Sequence, residues 1–381
     1  MAKWHLGILQ TGPCRPRYAV QAAPMRRTEF AMDQATAHAF VRKQTVFTLA
    51  GTRSDGQPVI RRLHGAVHAD HLVFHGAPKG EKVSLVDTVV AVTADEFVAT
   101  VPSWFFDPER ACTATTYYRS VMLRDRLSEV QAPAARAAAL AALMRHLQPS
   151  GGYAPITAHD DRYRAALAGL RIMSVPLTSL TGKAKLAQNR KPHEVAALLE
   201  SLWQRGEPHD AQALELLLAA NPQTPRPAWL CGPCGATLHV APGDSDIVEM
   251  AAAVAALLQD SYWNTAFSVD EIARAHLGAQ AWVVARDAEG AVIGSARALS
   301  DGAKLAWIYD VIVAPAWRGR GLGKALVPLL LAHPGVRGAH KVMLGTRDAQ
   351  GLYARFGFVP RPTTAEGLPT TDMVYWRRAS P

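Results

Sequence analysis

A chain of 381 residues, 49% of them hydrophobic, has length for two or more domains and enough apolar side chains to fill their cores. No run approaches 18 uninterrupted apolar residues, which excludes a membrane-spanning helix; four cysteines, at positions 14, 112, 231 and 234, are too few for a disulfide framework, so cytoplasmic residence is the default. The formal net charge of +9 invites a nucleic-acid partner, but the basic residues are scattered arginines without a stripe, zinc finger or RNP motif, and DNA or RNA is discounted.

Residues 1–24 contain Pro13 and Pro16 and no continuous apolar stretch, so they read as a loose extension and not as a signal peptide, with Met25-Arg26-Arg27 expected as the biological start. Short alternating strands follow: Val46 to Ala50, Val59 to His68, His71 to His75 and Val89 to Val92. Turn signals at Asp55-Gly56 and Ala69-Asp70 separate the first three. Further strands are expected from Tyr117 to Leu127 and Arg171 to Leu177, with helices over 132–147 and 159–168. Many meander strands and few helices indicate a small antiparallel barrel. His64, His68, His71 and His75 are tempting metal ligands, but on alternating strands they cannot all converge.

The segment His75-Gly76-Ala77-Pro78-Lys79-Gly80-Glu81-Lys82 leaves a strand and enters a helical turn, carrying two lysines and two glycines that suit an anion. Arg61 and Arg62 lie on the adjacent strand, and alternation lets only one of them face it. Here the chain resembles the FMN-binding split barrels of the pyridoxamine 5′-phosphate oxidase-related group. Tyr117-Tyr118-Arg119-Ser120-Val121 is similar to a strand of that group, and Gly182-Lys183-Ala184-Lys185-Leu186-Ala187-Gln188-Asn189-Arg190 to a stretch of its regulator branch. The resemblance implies that Lys82, Lys79 and Arg61 hold the flavin phosphate beside His75 and Gly76. It also implies a homodimer with FMN at the interface.

Residues 206–243 hold Pro208, Pro222, Pro225, Pro227, Pro233 and Pro242 around a short helix from Ala211 to Ala220, as an interdomain connection does. Cys231-Gly232-Pro233-Cys234 falls inside it. A C-x-x-C pair is redox-active or half a zinc site in some settings; without a second pair or a preceding thioredoxin-like strand it reads as linker. The expected division is an extension (1–24), a split barrel (25–205), a linker (206–236) and a second domain (237–381).

The last part opens with an apolar helix from Asp246 to Gln259, Ser261-Tyr262-Trp263, and a helix from Val269 to Leu277. A hairpin formed by 281–285 and 291–297 follows, and then the strand Trp307-Ile308-Tyr309-Asp310-Val311-Ile312-Val313. Arg318-Gly319-Arg320-Gly321-Leu322-Gly323 then begins a helix whose core stripe is Leu322, Ala325, Leu326, Leu329 and Leu330, ended by Pro334-Gly335. A glycine turn between strand and helix exposes backbone N–H groups at the positive end of a helix dipole, a receptor for a pyrophosphate. The alternating glycines fit neither G-x-G-x-x-G nor a P-loop.

What remains, Arg-x-x-Gly-x-Gly, resembles the acetyl-CoA loop of the GNAT N-acetyltransferases. Downstream, the strand Lys341 to Thr346 and the segment Asp348 to Phe358 are similar to the GNAT motif in which a short helix carries a tyrosine and ends in Gly-Phe. The resemblance implies acetyl-CoA contacts from Val311, Ile312, Val313, Arg318, Gly319, Arg320, Gly321, Leu322, Gly323 and Lys324, and a proton from Tyr353 for the leaving thiolate. The other reading of Tyr353 is packing on Phe358. An acceptor amine is mostly protonated at neutral pH, so a base is needed. Asp310, a carboxylate inside an apolar strand, is the candidate base or amine anchor; a structural partner for a neighbouring arginine is the alternative. Tyr262 and Trp263 are candidates for the acceptor pocket.

The expected architecture is α+β: an N-terminal antiparallel split β-barrel and a C-terminal GNAT α/β domain with a mixed central sheet. The expected function is acetyl transfer from acetyl-CoA to a small primary amine, with FMN in the barrel serving reductase or oxidase chemistry. The rival is a flavin-dependent reductase or flavin-responsive regulator whose GNAT part only senses acetyl-CoA.

Overall fold

The computed structural model describes residues 25–240, 247–361 and 371–377. The expected extension and the expected helix start at Asp246 lie outside them. Among the described residues, contacts divide the chain into two compact units, one of residues up to Glu96 with Arg119–Ala184, the other of Phe97–Tyr118 with the residues from Lys185 onward.

The N-terminal unit opens with helix α1 (Gln34–Lys43), capped by the Asp33 carboxylate, which accepts from the Thr36 N–H at 2.7 Å. Strands β1 (Val46–Thr52), β2 (Pro58–His64), β3 (Ala66–His68), β4 (His71–Gly76), β5 (Val89–Val101), β6 (Thr115–Arg126) and β7 (Ser128–Glu129) follow. Helices α2 (Pro133–Leu147) and α3 (Asp161–Gly169) precede β8 (Arg171–Pro176) and β9 (Thr181–Lys185). They form antiparallel sheets ordered β2-β1-β5-β6-β9 and β3-β4-β8-β7. Phe47, Leu49, Leu72, Phe74, Val90, Val92, Leu123 and Met173 pack together as the core of this split barrel.

The single strand expected over 59–68 breaks at Gly65, whose N–H donates to the Thr45 carbonyl. A side chain there would begin 2.9 Å from the Phe47 ring, so only glycine lets the chain pass from one sheet to the other. The strand expected over 89–92 continues to Val101, beyond the end of the first unit.

The C-terminal unit holds α4 (Pro192–Arg205), α5 (Asp210–Ala220), β10 (Thr237–His239), α6 (Ile247–Leu258) and α7 (Val269–Leu277). Next come β11 (Ala281–Arg286), β12 (Val292–Ser300), β13 (Leu305–Val313), α8 (Leu322–Ala332), α9 (Pro334–Arg337), β14 (Lys341–Thr346), α10 (Gln350–Ala354), β15 (Val359–Pro360) and β16 (Thr371–Trp376). The seven-stranded mixed sheet runs β10-β11-β12-β13-β14-β16-β15. Met250, Val254 and Leu258 of α6 and Ile272 of α7 pack on Trp282, Val284 and Ile312 of that sheet. A reciprocal Ser268–Glu271 capping box starts α7.

Residues 206–236, the expected linker, carry α5 where a short helix was expected and lead through a hairpin into β10, an edge strand of the sheet. Helix α4 and the segment leading into it grip residues of the same unit. Arg205 donates to the Thr100 carbonyl at 2.7 Å, and the Arg190 guanidinium lies 4.0 Å from the Phe106 ring centroid. Among the described residues, no helix is long and apolar enough to cross a membrane.

Candidate functional sites

In the C-terminal unit, β13 and β14 run parallel but pair only through Leu305↔Lys341, Ala306↔Val342 and Trp307↔Met343. Beyond Trp307, β13 stays with β12 up to Val313, while β14 stays with β16 up to Thr346, so the sheet forks between them. The cause is local. Between the pairs Arg297↔Tyr309 and Ser295↔Ile312, β12 advances two residues and β13 advances three, and Asp310 in that bulge has φ +53°.

The bulge turns the Asp310 carboxylate into a set of donors. Arg297 Nε donates to Oδ2 at 2.5 Å, Trp263 Nε1 to Oδ1 at 2.9 Å and Asn264 Nδ2 to Oδ1 at 3.5 Å. The pair is secluded, with side chains 13% and 5% exposed for Arg297 and Asp310. The same electrostatic neighbourhood includes His276, whose Nδ1 lies 3.1 Å from the Ile272 carbonyl and which burial pushes below the ordinary imidazole range. A carboxylate held by three donors serves as an organising hub of the bulge, the arginine-partner alternative.

Each prong of the fork is tied by one of two neighbouring aromatics. Trp263 bonds Asp310 on β13. The Tyr262 hydroxyl accepts from the Arg347 N–H just past β14, at 3.2 Å, and the Arg347 guanidinium lies 3.8 Å above the Tyr262 ring. The two rings meet edge-on at 4.7 Å.

At the far end of β13, Pro315–Trp317 forms a 3₁₀ turn, and Arg318 Nε reaches back to the Val313 carbonyl at 3.1 Å. Gly319 and Gly321 have φ of +76° and +91°, the left-handed region that favours glycine. Lys324 and Ala325 make the first backbone bonds of α8, both to the Gly321 carbonyl, so the N–H groups of Leu322 and Gly323 are the leftover donors of a helix start. Lys324 is exposed, and Arg320 stacks 5.0 Å from the Trp317 ring. Val311 and Val313 are half-buried, and Ile312 is buried in the core beneath.

Helix α10 packs on this first turn, with Leu352 3.4 Å from where a side chain on Gly323 would begin. Its next residue, Tyr353, is 6% exposed and meets Phe358 edge-on at 5.9 Å. Burial, helped by Tyr262 and Asp348, pushes the Tyr353 hydroxyl up to about 12.

In the N-terminal unit, a cavity of about 510 Å³ is lined by Arg62, His64, His75, Gly76, Pro78 and Lys82 among others, with no acidic side chain on its wall. Two expected residues are absent from it. Arg62 and His64, on one face of β2, line the cavity together with Leu63 between them, whereas Arg61 pairs with Glu81. Lys79 is exposed on the connecting turn, off the cavity wall. Lys82 Nζ donates to the His75 carbonyl at 3.0 Å and lies over Gly76, where a Cβ would come within 2.0 Å of its Cε. Desolvation pushes both Lys82 and His75 below their ordinary values, a shift that an entering anion would oppose by favouring their charged forms.

Arg297, Asn264 and Arg347 escape sequence reasoning because long-range pairing alone brings them to the fork. Arg62 was within reach, since strand parity decides between it and Arg61.

Comparison with known proteins matches residues 33–184 to the pyridoxamine 5′-phosphate oxidase family profile and residues 251–358 to the acetyltransferase (GNAT) family profile. The chain is similar to glucosamine 6-phosphate N-acetyltransferase 1 of Oryza sativa subsp. japonica, 38% identical over 75 residues, 19% of this chain and 46% of that protein. It is similar to GCN5-related N-acetyltransferase 1, chloroplastic, of Arabidopsis thaliana, 34% identical over 99 residues, 26% of this chain and 50% of that one. The chain thus spans about half the length of these curated relatives. A solved structure described as an acetyltransferase of the GNAT family from Xanthomonas campestris pv. campestris is 32% identical, covering 35% of this chain and 94% of that one, with a TM-score of 0.30.

Proposed function

Because the chain joins a pyridoxamine 5′-phosphate oxidase-type segment to a GNAT acetyltransferase segment, we propose that it transfers acetyl from acetyl-CoA to a small primary amine and binds FMN in its split barrel. The observation that carries the transferase reading is the loop at 318–323, where two left-handed glycines and a helix start face the open end of a forked sheet.

In this reading the amides of Gly319 through Gly323 bind the pyrophosphate, assisted by Arg318, Arg320 and Lys324. On the side facing the fork, Val311, Ile312 and Val313 have no neighbouring strand among the described residues, and this edge, with the Val313 carbonyl held by Arg318, offers the pantetheine amides a strand to pair with. Acetyl-CoA supplies an activated carbonyl with a thiolate leaving group. Tyr353, with its hydroxyl held near 12, keeps its proton at neutral pH. Handing that proton fully to a thiolate of pKa ~8.5 would run uphill, so the hydroxyl acts chiefly as a hydrogen-bond donor to charge developing on sulfur. Asp310 anchors the bulge and, through Trp263, the acceptor side of the fork.

The basic cavity fits a phosphate: Arg62, His75 and Lys82 would hold that of FMN, with Gly76 leaving room for Lys82. Bound flavin supplies electron-transfer chemistry. The proposal includes a homodimer through the barrel and a cytoplasmic setting.

The test is thiol release from acetyl-CoA across a panel of amines, for the wild type and Tyr353→Phe. Amine-dependent release that falls about 10²-fold or more in the variant supports catalysis. Binding without release for any amine would make the unit a sensor. Failure of the purified chain to take up FMN would remove the flavin assignment.

A further inference from the structure

Cys231-Gly232-Pro233-Cys234 occupies a tight hairpin. Cys231 faces Thr237 across an isolated antiparallel bridge, and the Gly232 N–H donates to the Ala236 carbonyl at 2.7 Å. Arg226 braces the base, donating to the carbonyls of Leu230 at 3.2 Å and Leu238 at 2.6 Å. Both thiols are free and exposed. That of Cys231 points at the Pro227 carbonyl, 3.5 Å away, whereas Cys234 stands at the turn with φ +56°.

The tip of this hairpin lies beside the glycine loop. Pro233 Cγ stands 3.7 Å from the point where a side chain on Gly321 would begin, the nearest neighbour of that position. Two thiolates alone fill half of a tetrahedral zinc site, and the sequence offers no second such pair, so metal binding is the weaker use of the motif.

We infer that Cys231 and Cys234 form a thiol–disulfide exchange site whose oxidation state sets the affinity of the adjoining loop for acetyl-CoA, an inference that rests on the acetyl-CoA reading of that loop. The oxidant is a small-molecule disulfide. The Cys234 thiolate attacks one of its sulfurs, its S–S bond breaks, and the first thiol leaves with the proton lost by Cys234. The Cys231 thiolate then displaces the second thiol, which takes the proton of Cys231, and the protein S–S bond closes. Two cysteine thiols are oxidised and one external disulfide is reduced to two thiols. Pro233 lies inside the ring so formed and stands next to the space that a Gly321 side chain would fill, so its movement bears on the loop there.

The test uses the full chain equilibrated in glutathione buffers of graded poise. Peptide mass mapping reads the loss of two hydrogens across 231–234, and calorimetry with acetyl-CoA reads the dissociation constant of each form. The expected results are a Cys231–Cys234 disulfide and a dissociation constant shifted at least about fivefold on oxidation. Cys231→Ser should trap glutathione on Cys234 and leave affinity insensitive to poise. A thiol pair that stays reduced at every poise, or equal affinities in both forms, overturns the inference. Absence of heat in both forms would refute the acetyl-CoA site and the coupling together, and the mass map would still report whether the disulfide forms.

Discussion

Asp310→Asn gives the sharpest test of how the fork is built. The substitution removes the charge facing Arg297, whose side chain is only 13% exposed, and leaves a guanidinium without its counter-ion. Breaking a buried pair from one side costs about 3–5 kcal/mol. The low end applies here, because an asparagine oxygen still accepts from Trp263 and Arg297 keeps its position 5.0 Å over the Tyr309 ring. At about 2–4 °C per kcal/mol for a domain of this size, a loss of about 3 kcal/mol lowers the melting temperature by roughly 6–12 °C. Calorimetry of the full chain reads the shift, and tryptophan emission gives a local signal, since Trp263 donates to this carboxylate. Removing the arginine too, in Asp310→Asn with Arg297→Met, should recover most of the stability. Turnover of the double variant then separates the two roles of Asp310: recovery with stability marks an anchor, while a stable variant slower by about 10² or more marks a base. A single variant that melts with the wild type would refute the description of this pair as buried and mutually dependent.

Gly321→Ala meets no clash, its nearest neighbour being Pro233 at 3.7 Å, but places a side chain at φ +91°. The left-handed penalty of about 1–2 kcal/mol should appear as weaker acetyl-CoA binding by about tenfold in calorimetry. Gly76→Ala drives a methyl into Lys82, which must swing off the His75 carbonyl; FMN uptake followed by absorbance should weaken while the melting temperature changes little. His333 is buried against the Val240 carbonyl and pushed down to about 4. Since the unfolded imidazole titrates near 6.5, its contribution is intact above that pH and is lost as pH falls from about 6.5 to 4, by about 3 kcal/mol in all. His333→Asn should flatten the acid side of the stability profile in urea titrations at stepped pH; an unchanged profile would remove His333 as the cause.

What sequence made visible was what is local. The glycine loop and the stripe of α8 declare themselves within a dozen residues, as do the hairpin turn at Asp55-Gly56 and the apolar strands around it. Helix α4 carries an equally regular stripe in Val195, Leu198, Leu199 and Leu202, all buried, although no motif flags it. The fork is different. It depends on which residue of β12 faces which residue of β13, and one extra residue near Asp310 reverses every side chain beyond it. Arg297 therefore gives no local sign that it belongs to the site. Arg61 and Arg62 show the same limit in miniature: adjacent, chemically identical, and separated only by strand parity and by Glu81.

The stretch of β13 without a rung on one side also has a length. Six steps separate the final shared rung at Trp307 from Val313, which at ~3.3 Å each is roughly 20 Å. The opening therefore behaves as a ruler. In the proposed reading, a slender acyl carrier held at its diphosphate end by residues 318–323 would deliver its reactive tip at a depth set by that span, and a carrier with a shorter arm would stop before reaching it.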